Sequence, residues 1–209
     1  MCVFENNSKV LFIGDSVTDC GRNYEDPDSL GSGYAFAAAS ELGRAYPEKQ
    51  ISFMNKGING NRVADLEERW KRDCLDVRPD YVSILIGIND TWRRYDNNEP
   101  TSAERYYEGY RSLIQQALTQ GVKGFILLEP FVVPVTEEQK GWYEDLNPKI
   151  QAVRELAKEF NSLYIPLDGL FNAASTRTGA AYWAADGVHP TAAGHGLIAD
   201  AWLKAAGAK

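Results

Sequence analysis

The sequence predicts an α/β fold in which a parallel, five-stranded sheet lies between two layers of helices. Two observations carry that prediction. Strand and helix signals alternate from end to end of the 209 residues, the pattern of repeated βαβ crossovers. The strand segments are short and nearly all apolar, as strands covered on both faces must be. No Pro/Ser-rich linker, repeat or low-complexity tract breaks the alternation. One domain over residues 1–209 is expected, large enough to bury a full core.

The first strand is Val10-Leu11-Phe12-Ile13, ending abruptly in Gly14-Asp15-Ser16. A polar, glycine-bearing loop follows from Val17 to Gly33. Tyr34 to Leu42 is alanine-rich and helical in propensity. Gln50 to Met54 reads as a second strand that ends at Asn55-Lys56-Gly57. Val63, Leu66, Trp70 and Cys74 recur at helical spacing between charges, and Pro79-Asp80 closes that helix. Tyr81 to Ile86 is the third strand.

Pro100-Thr101 followed by Glu104 suggests a capping box. It opens a helix whose apolar face is Tyr106, Tyr107, Tyr110, Leu113, Ile114 and Ala117, ended by Gly121. Gly124 to Leu128 is the fourth strand. Asn147-Pro148 reads as an N-cap with proline at the first helical position, before a face of Ile150, Val153, Leu156, Ala157 and Phe160. Leu163 to Pro166 is the fifth strand. Thr191 is expected to cap the last helix, which carries Leu197, Ile198, Ala201 and Trp202.

Totals exclude several function classes. A net charge of -7 argues against nucleic acid, whose phosphates demand a basic surface, and against an anionic membrane. No apolar run approaches the roughly 18 residues that span a bilayer. Cys2, Cys20 and Cys74 are odd in number, scattered and without a CxxC pair, the usage of free thiols in a reducing cytoplasm. The amino terminus lacks a basic segment leading into a long apolar one, so no signal peptide is read. Two histidines without a ligand cluster suggest no metal, and no cofactor is expected.

In a parallel sheet the carboxyl ends of the strands share one edge, where such folds place their chemistry. That edge gathers Ser16, Gly57, Asn89 and Pro130. Ser16 taken alone reads as a helix cap. Gly87-Ile88-Asn89-Asp90 reads equally as a turn or as the mount for an amide aimed at a developing oxyanion. Gly57 sits in an ordinary loop or offers a backbone N–H to the same oxyanion. His195 lies between Gly194 and Gly196 within the last helix and reads as structural. His189 differs, because Asp186 precedes it by three residues and Gly187 lets the segment fold back. Asp186 could then hold Nδ1 while Nε2 faces outward as a base.

Together and in order, Gly14-Asp15-Ser16, Gly57, Gly87-Ile88-Asn89-Asp90 and Asp186-Gly187-Val188-His189-Pro190 resemble the four sequence blocks of the SGNH hydrolases, also called GDSL-type esterases. Val17 stands where the family name implies leucine, which keeps an apolar residue. The resemblance implies a three-layer α/β/α sandwich, flavodoxin-like in plan. It implies Ser16 as nucleophile, His189 as base and Asp186 as orienting acid. The oxyanion hole would be the N–H groups of Ser16 and Gly57 and the side chain of Asn89. The stretches 15–22, 55–58, 87–96 and 188–190 further resemble intracellular bacterial acetyl-xylan esterases, implying a small acetylated sugar, xylo-oligosaccharide above all, as substrate. A homo-oligomer is also compatible with the resemblance.

Asp15, Trp92 and Trp183 are the expected substrate contacts, since aromatic faces beside polar groups suit sugar rings. Tyr95, Trp142 and Tyr143 fall in similar segments, although such rings also fill cores. Arg22, Arg93 and Arg94 either bind a charged sugar or pair with neighbouring acids. Two other functions stand against the acetylesterase. A lysophospholipase or thioesterase of the same clan would need a long apolar groove. A flavodoxin-like binding module would have no use for Ser16, Asn89, Asp186 and His189 together.

Overall fold

A computed structural model describes residues 2–208. Five parallel strands form one sheet: β1 (Lys9–Gly14), β2 (Ser52–Gly57), β3 (Tyr81–Leu85), β4 (Gly124–Leu128) and β5 (Leu163–Ile165), in the spatial order β2-β1-β3-β4-β5. The register sets Gly14 beside both Gly57 and Leu85. From β1 the chain steps outward to β2 and then returns past β1 to β3. The connections leaving β1 and β3 therefore diverge, which opens a crevice at their carboxyl ends.

Alternation along the strands divides the core into two layers. Val10 and Phe12 face α2 (Tyr34–Ala45) and the last helix α10 (Ala192–Ala205). Leu11 and Ile13 face α3 (Val63–Trp70), α5 (Ala103–Thr119) and α7 (Tyr143–Glu159). In the first layer Trp202 packs on Phe4 and Phe12, and its indole N–H donates to Ser83 Oγ at 3.0 Å. Thr191 caps α10 by accepting from Gly194 N. All three cysteines are free.

Several element bounds differ from expectation. The cap of α5 is Ser102, not Thr101: it accepts from Arg105 N at 3.1 Å, and the third helical residue is Arg105, which has no acceptor to complete the expected box. Helix α7 starts at Tyr143, not after Asn147, and Pro148 lies inside it. The first turn forms on the carbonyl of the buried Trp142, which accepts from Leu146 N at 2.9 Å. Burying Leu146 on the same face as Ile150 outweighs the one helical hydrogen bond that proline removes. Strand β2 runs on through Asn55 and Lys56, because their backbones pair with Phe12 and Ile13. Five short or medium helices had no sequence prediction: α1 (Ser16–Asp19), α4 (Ile88–Asp96), α6 (Glu137–Gly141), α8 (Leu167–Thr178) and α9 (Ala180–Trp183).

One buried cation ties the functional edge together. Arg69 of α3 is 7% exposed. It donates to Gly14 O at 3.0 Å, Lys56 O at 2.8 Å and Asn61 Oδ1 at 2.7 Å, and pairs with Asp73 at 3.0 Å. Removing one partner of a buried pair leaves uncompensated polar groups behind. Arg69→Ala should lower stability by about 3 kcal/mol and Tm by roughly 6–12 °C, read by thermal or urea unfolding.

Candidate active site

Ser16 is the first residue of α1, immediately after the β1 terminus. Asp15 caps this short helix: its Oδ1 accepts from Val17 N at 3.0 Å. The Ser16 N–H occupies a helix-start position that the helical ladder cannot pair. Gly14 is required by close approach, since any Cβ there would collide with the Leu85 carbonyl.

The histidine arrives from the far end of the chain, held by a tight turn. Asp186 Oδ1 accepts from Val188 N at 2.9 Å and His189 N at 2.7 Å. Gly187 adopts φ +85, and a Cβ there would strike Gln139. Gln139 donates to Asp186 O at 2.7 Å, and Val133 N donates to Gly187 O at 2.8 Å. Thr191 N then donates to Trp183 O at 2.8 Å and closes the segment.

This backbone sets His189 Nδ1 2.6 Å from Asp186 Oδ2 and His189 Nε2 3.0 Å from Ser16 Oγ. A carboxylate at Nδ1 holds the proton there, which leaves Nε2 to accept from the serine hydroxyl. Burial raises the Asp186 pKa, but the His189 side chain and the two backbone N–H groups outweigh it and hold the carboxyl below its ordinary value.

Asn89, in the first turn of α4, is buried and donates through Nδ2 to Asn61 O at 3.1 Å. Gly57 is gripped from both sides. Arg22 donates to its carbonyl at 2.9 Å, while its N–H donates to Asn55 Oδ1 at 2.8 Å. The N–H expected to face an oxyanion therefore already has a partner in the free protein. Ser16, Asp19, Cys20, Gly21, Asn59 and His189 line a small cavity of about 170 Å³. A groove of about 390 Å³ between α5 and α7 carries neither a histidine nor a serine and shares no residue with this cavity.

Residues 12–197 match the GDSL-like Lipase/Acylhydrolase family. The chain belongs to this family. It is accordingly a carboxylic ester hydrolase of the SGNH type. It is 38% identical over 209 residues to the acetylxylan esterase of Geobacillus stearothermophilus, covering 97% of this chain and 95% of that one. A solved structure of that esterase superposes with a TM-score of 0.91 over 98% of this chain and 96% of the other. A GDSL-like lipase from Parabacteroides merdae superposes at 0.94 with 35% identity, covering 99% and 98% of the two chains.

The residues expected to touch substrate in this GDSL hydrolase are not placed alike. Trp92 is half-buried, with its ring centroid 6.1 Å from that of His189. Trp183 turns to the other layer: it packs with the α2–α10 core and edge-on to Tyr182, its indole nitrogen buried. Asp15 is 1% exposed and lies beneath the serine, where a bound sugar has no access, because its carboxylate is used to cap α1. Trp142 is buried between Trp92 and Tyr95 and belongs to the core under the site. Arg22 serves Gly57, and Arg94 pairs with Glu144 and Asp145. His195 is buried, its Nδ1 accepting from Tyr34 N at 3.1 Å. Burial lowers its pKa to about 4, so it is neutral and structural.

Sequence reasoning missed Gln139 and Arg69, whose bonds to Asp186 and to Lys56 and Gly14 span 47, 13 and 55 positions, and Asn55, whose bond to Gly57 N is local but carries no motif.

Burial raises two carboxyls near the site, Asp15 and Asp90, to about 7 each. A carboxyl raised in the folded state binds more protons there than in the unfolded chain. Its contribution is fully present below about pH 4 and is lost as pH rises through about 7. Asp90 accepts from Val63 N through both oxygens, a role that an amide oxygen retains. Asp90→Asn should therefore be more stable than the parent at pH 8.5, by on the order of 2 kcal/mol. The gain should vanish by pH 5 in urea titrations.

Proposed function

We propose that this hydrolase removes O-acetyl groups from acetylated carbohydrates, xylo-oligosaccharides foremost, by acyl transfer through Ser16. The observation that carries the proposal is the Ser16–His189–Asp186 chain, with contacts of 3.0 and 2.6 Å. The likeness to an acetylxylan esterase supports the substrate class.

In the first step His189 Nε2 takes the Ser16 proton as Oγ bonds to the ester carbonyl carbon. Asp186 stabilises the imidazolium that results. The negative oxygen is met by the Ser16 N–H and by Asn89 Nδ2, whose second hydrogen is available beyond the bond to Asn61 O. Gly57 joins as a third donor when Asn55 releases its N–H. His189 then protonates the departing sugar oxygen, and the acyl group stays on Ser16. Water gives a proton to His189 and attacks the acyl carbon. The imidazolium returns that proton to Ser16 Oγ as acetate leaves.

The cavity beside Ser16 favours a short acyl group. Its volume of about 170 Å³ lies well below the roughly 300 Å³ at which pockets begin to enclose larger ligands. A lysophospholipase or acyl thioesterase would need a long apolar channel there.

Ser16→Ala should lower kcat on p-nitrophenyl acetate by about a thousandfold or more, and His189→Ala comparably, in proteins whose melting curves show them folded. His195→Ala should retain far more activity. Retained turnover in Ser16→Ala overturns the mechanism. Across nitrophenyl esters the parent should favour acetate over octanoate; the reverse preference overturns the acyl assignment.

A further inference from the structure

Next to the acyl cavity lies a second, polar cavity of about 380 Å³. We infer that it is the subsite for the sugar that carries the acetyl group, and that it selects neutral sugars over acidic ones. The inference rests on the carbohydrate reading above and deepens it.

Position is the first argument. The cavity is walled by the loop after β2 and by the end of α4, the segments that carry Gly57 and Asn89. Asn59 lines both cavities, so the two adjoin across this residue. Asn61, another wall residue, holds Asn89 through its carbonyl at 3.1 Å. A sugar ring resting here would put an acetylated hydroxyl beside Ser16.

Chemistry is the second. The side-chain amides of Asn59 and Asn97 carry no hydrogen bond among the described residues. Each amide offers two donors and an acceptor, which matches hydroxyls that both give and take a hydrogen bond. Such unpaired amides need no charge on the ligand.

Charge is the third. The cavity holds two cations, and both are already neutralised. Arg62 pairs with Glu99 at 3.0 Å and Asp65 at 3.3 Å. Arg93 pairs with Asp96. Each guanidinium has five N–H donors and so keeps some for neutral hydroxyls. A uronic acid carboxylate finds no free cation and faces Glu99 and Asp65 instead. Like charges across a site disfavour the wrong ligand.

The test compares kcat/KM on three esters with the intact protein: acetylated xylobiose, an acetylated xylobiose bearing a uronic acid, and p-nitrophenyl acetate, which has no hydroxyls. Asn97→Ala and Arg93→Ala should each lower the ratio of neutral-sugar to nitrophenyl activity about five- to tenfold, the loss of one hydrogen bond. Arg94→Ala, outside the cavity, should keep that ratio within about twofold. The parent should prefer the neutral sugar to the acidic one, and Glu99→Gln should narrow that gap. If neither Asn97→Ala nor Arg93→Ala moves the ratio while the parent deacetylates sugars, the subsite assignment is wrong. A parent preference for the acidic ester overturns the charge argument. Cleavage of the nitrophenyl ester with no acetate released from any sugar overturns the carbohydrate reading itself, and the subsite with it.

Discussion

The strand exits that build the site depend on the buried guanidinium of Arg69. Arg69 reaches from α3 to the carbonyls of Gly14 and Lys56 and to the side chain of Asn61. Gly14 leads into Asp15-Ser16, Lys56 leads into Gly57, and Asn61 holds Asn89. Three strand exits far apart in sequence are thus referenced to one rigid, planar group. A lysine could not do the same, because its three donors radiate from one flexible point. Burial lowers the pKa of Arg69, and the contact with Asp73 acts against that shift. A buried ion pair contributes little net stability against an apolar substitute. Its value here lies in position: hydrolysis of an ester is sensitive to displacements of about 1 Å among the reacting groups.

The histidine is held by other means. Asp186 and His189 are both about half exposed, at 49% and 44% of their side-chain surface. In solvent the attraction of two such groups is weak, so charge alone would not fix the ring. Backbone geometry fixes it. The Asp186 carboxylate binds two N–H groups of its own turn, and Gln139 and Val133 hold that turn from outside. One carboxyl oxygen builds the loop and the other orients the imidazole. The exposure leaves the way open for water in the second half of the proposed cycle. Where the Arg69 side is buried and stiff, the Asp186 side is open and held only by the turn.

The fold and the Asp186–His189 contact were legible in the sequence because both are written locally. A nearly all-apolar run of five residues reads as a strand wherever it stands, and β4 was bounded to the residue. The Asp-Gly-Val-His spacing contains its own turn. Residues that act at long range left no such trace. Gln139 supports Asp186 across 47 positions, and Arg22 grips Gly57 across 35. The start of α7 was missed because Asn147-Pro148 carries a strong start signal, while the burial of Leu146 that overrides it is tertiary. Asp15 was expected among the substrate contacts. Its side chain faces inward because α1 must be capped within the turn that exposes the serine.

The aromatic residues show why composition misleads about carbohydrate sites. Trp92, Tyr95 and Trp142 suggested a stacking platform, yet Trp142 is buried and the group packs with Ile88, Val132 and Val188 as a small third core. That core lies beneath α4 and the His189 turn and sets their separation. The walls of the polar cavity next to the Ser16 pocket are instead mostly amides and paired charges. Ring stacking holds the face of a sugar but says little about which hydroxyl points where. Amides fixed on two short loops discriminate among hydroxyl positions, because a misplaced hydroxyl leaves both itself and the amide unpaired. An esterase that must present one acetylated oxygen to one serine has more use for that directional contact than for an apolar platform.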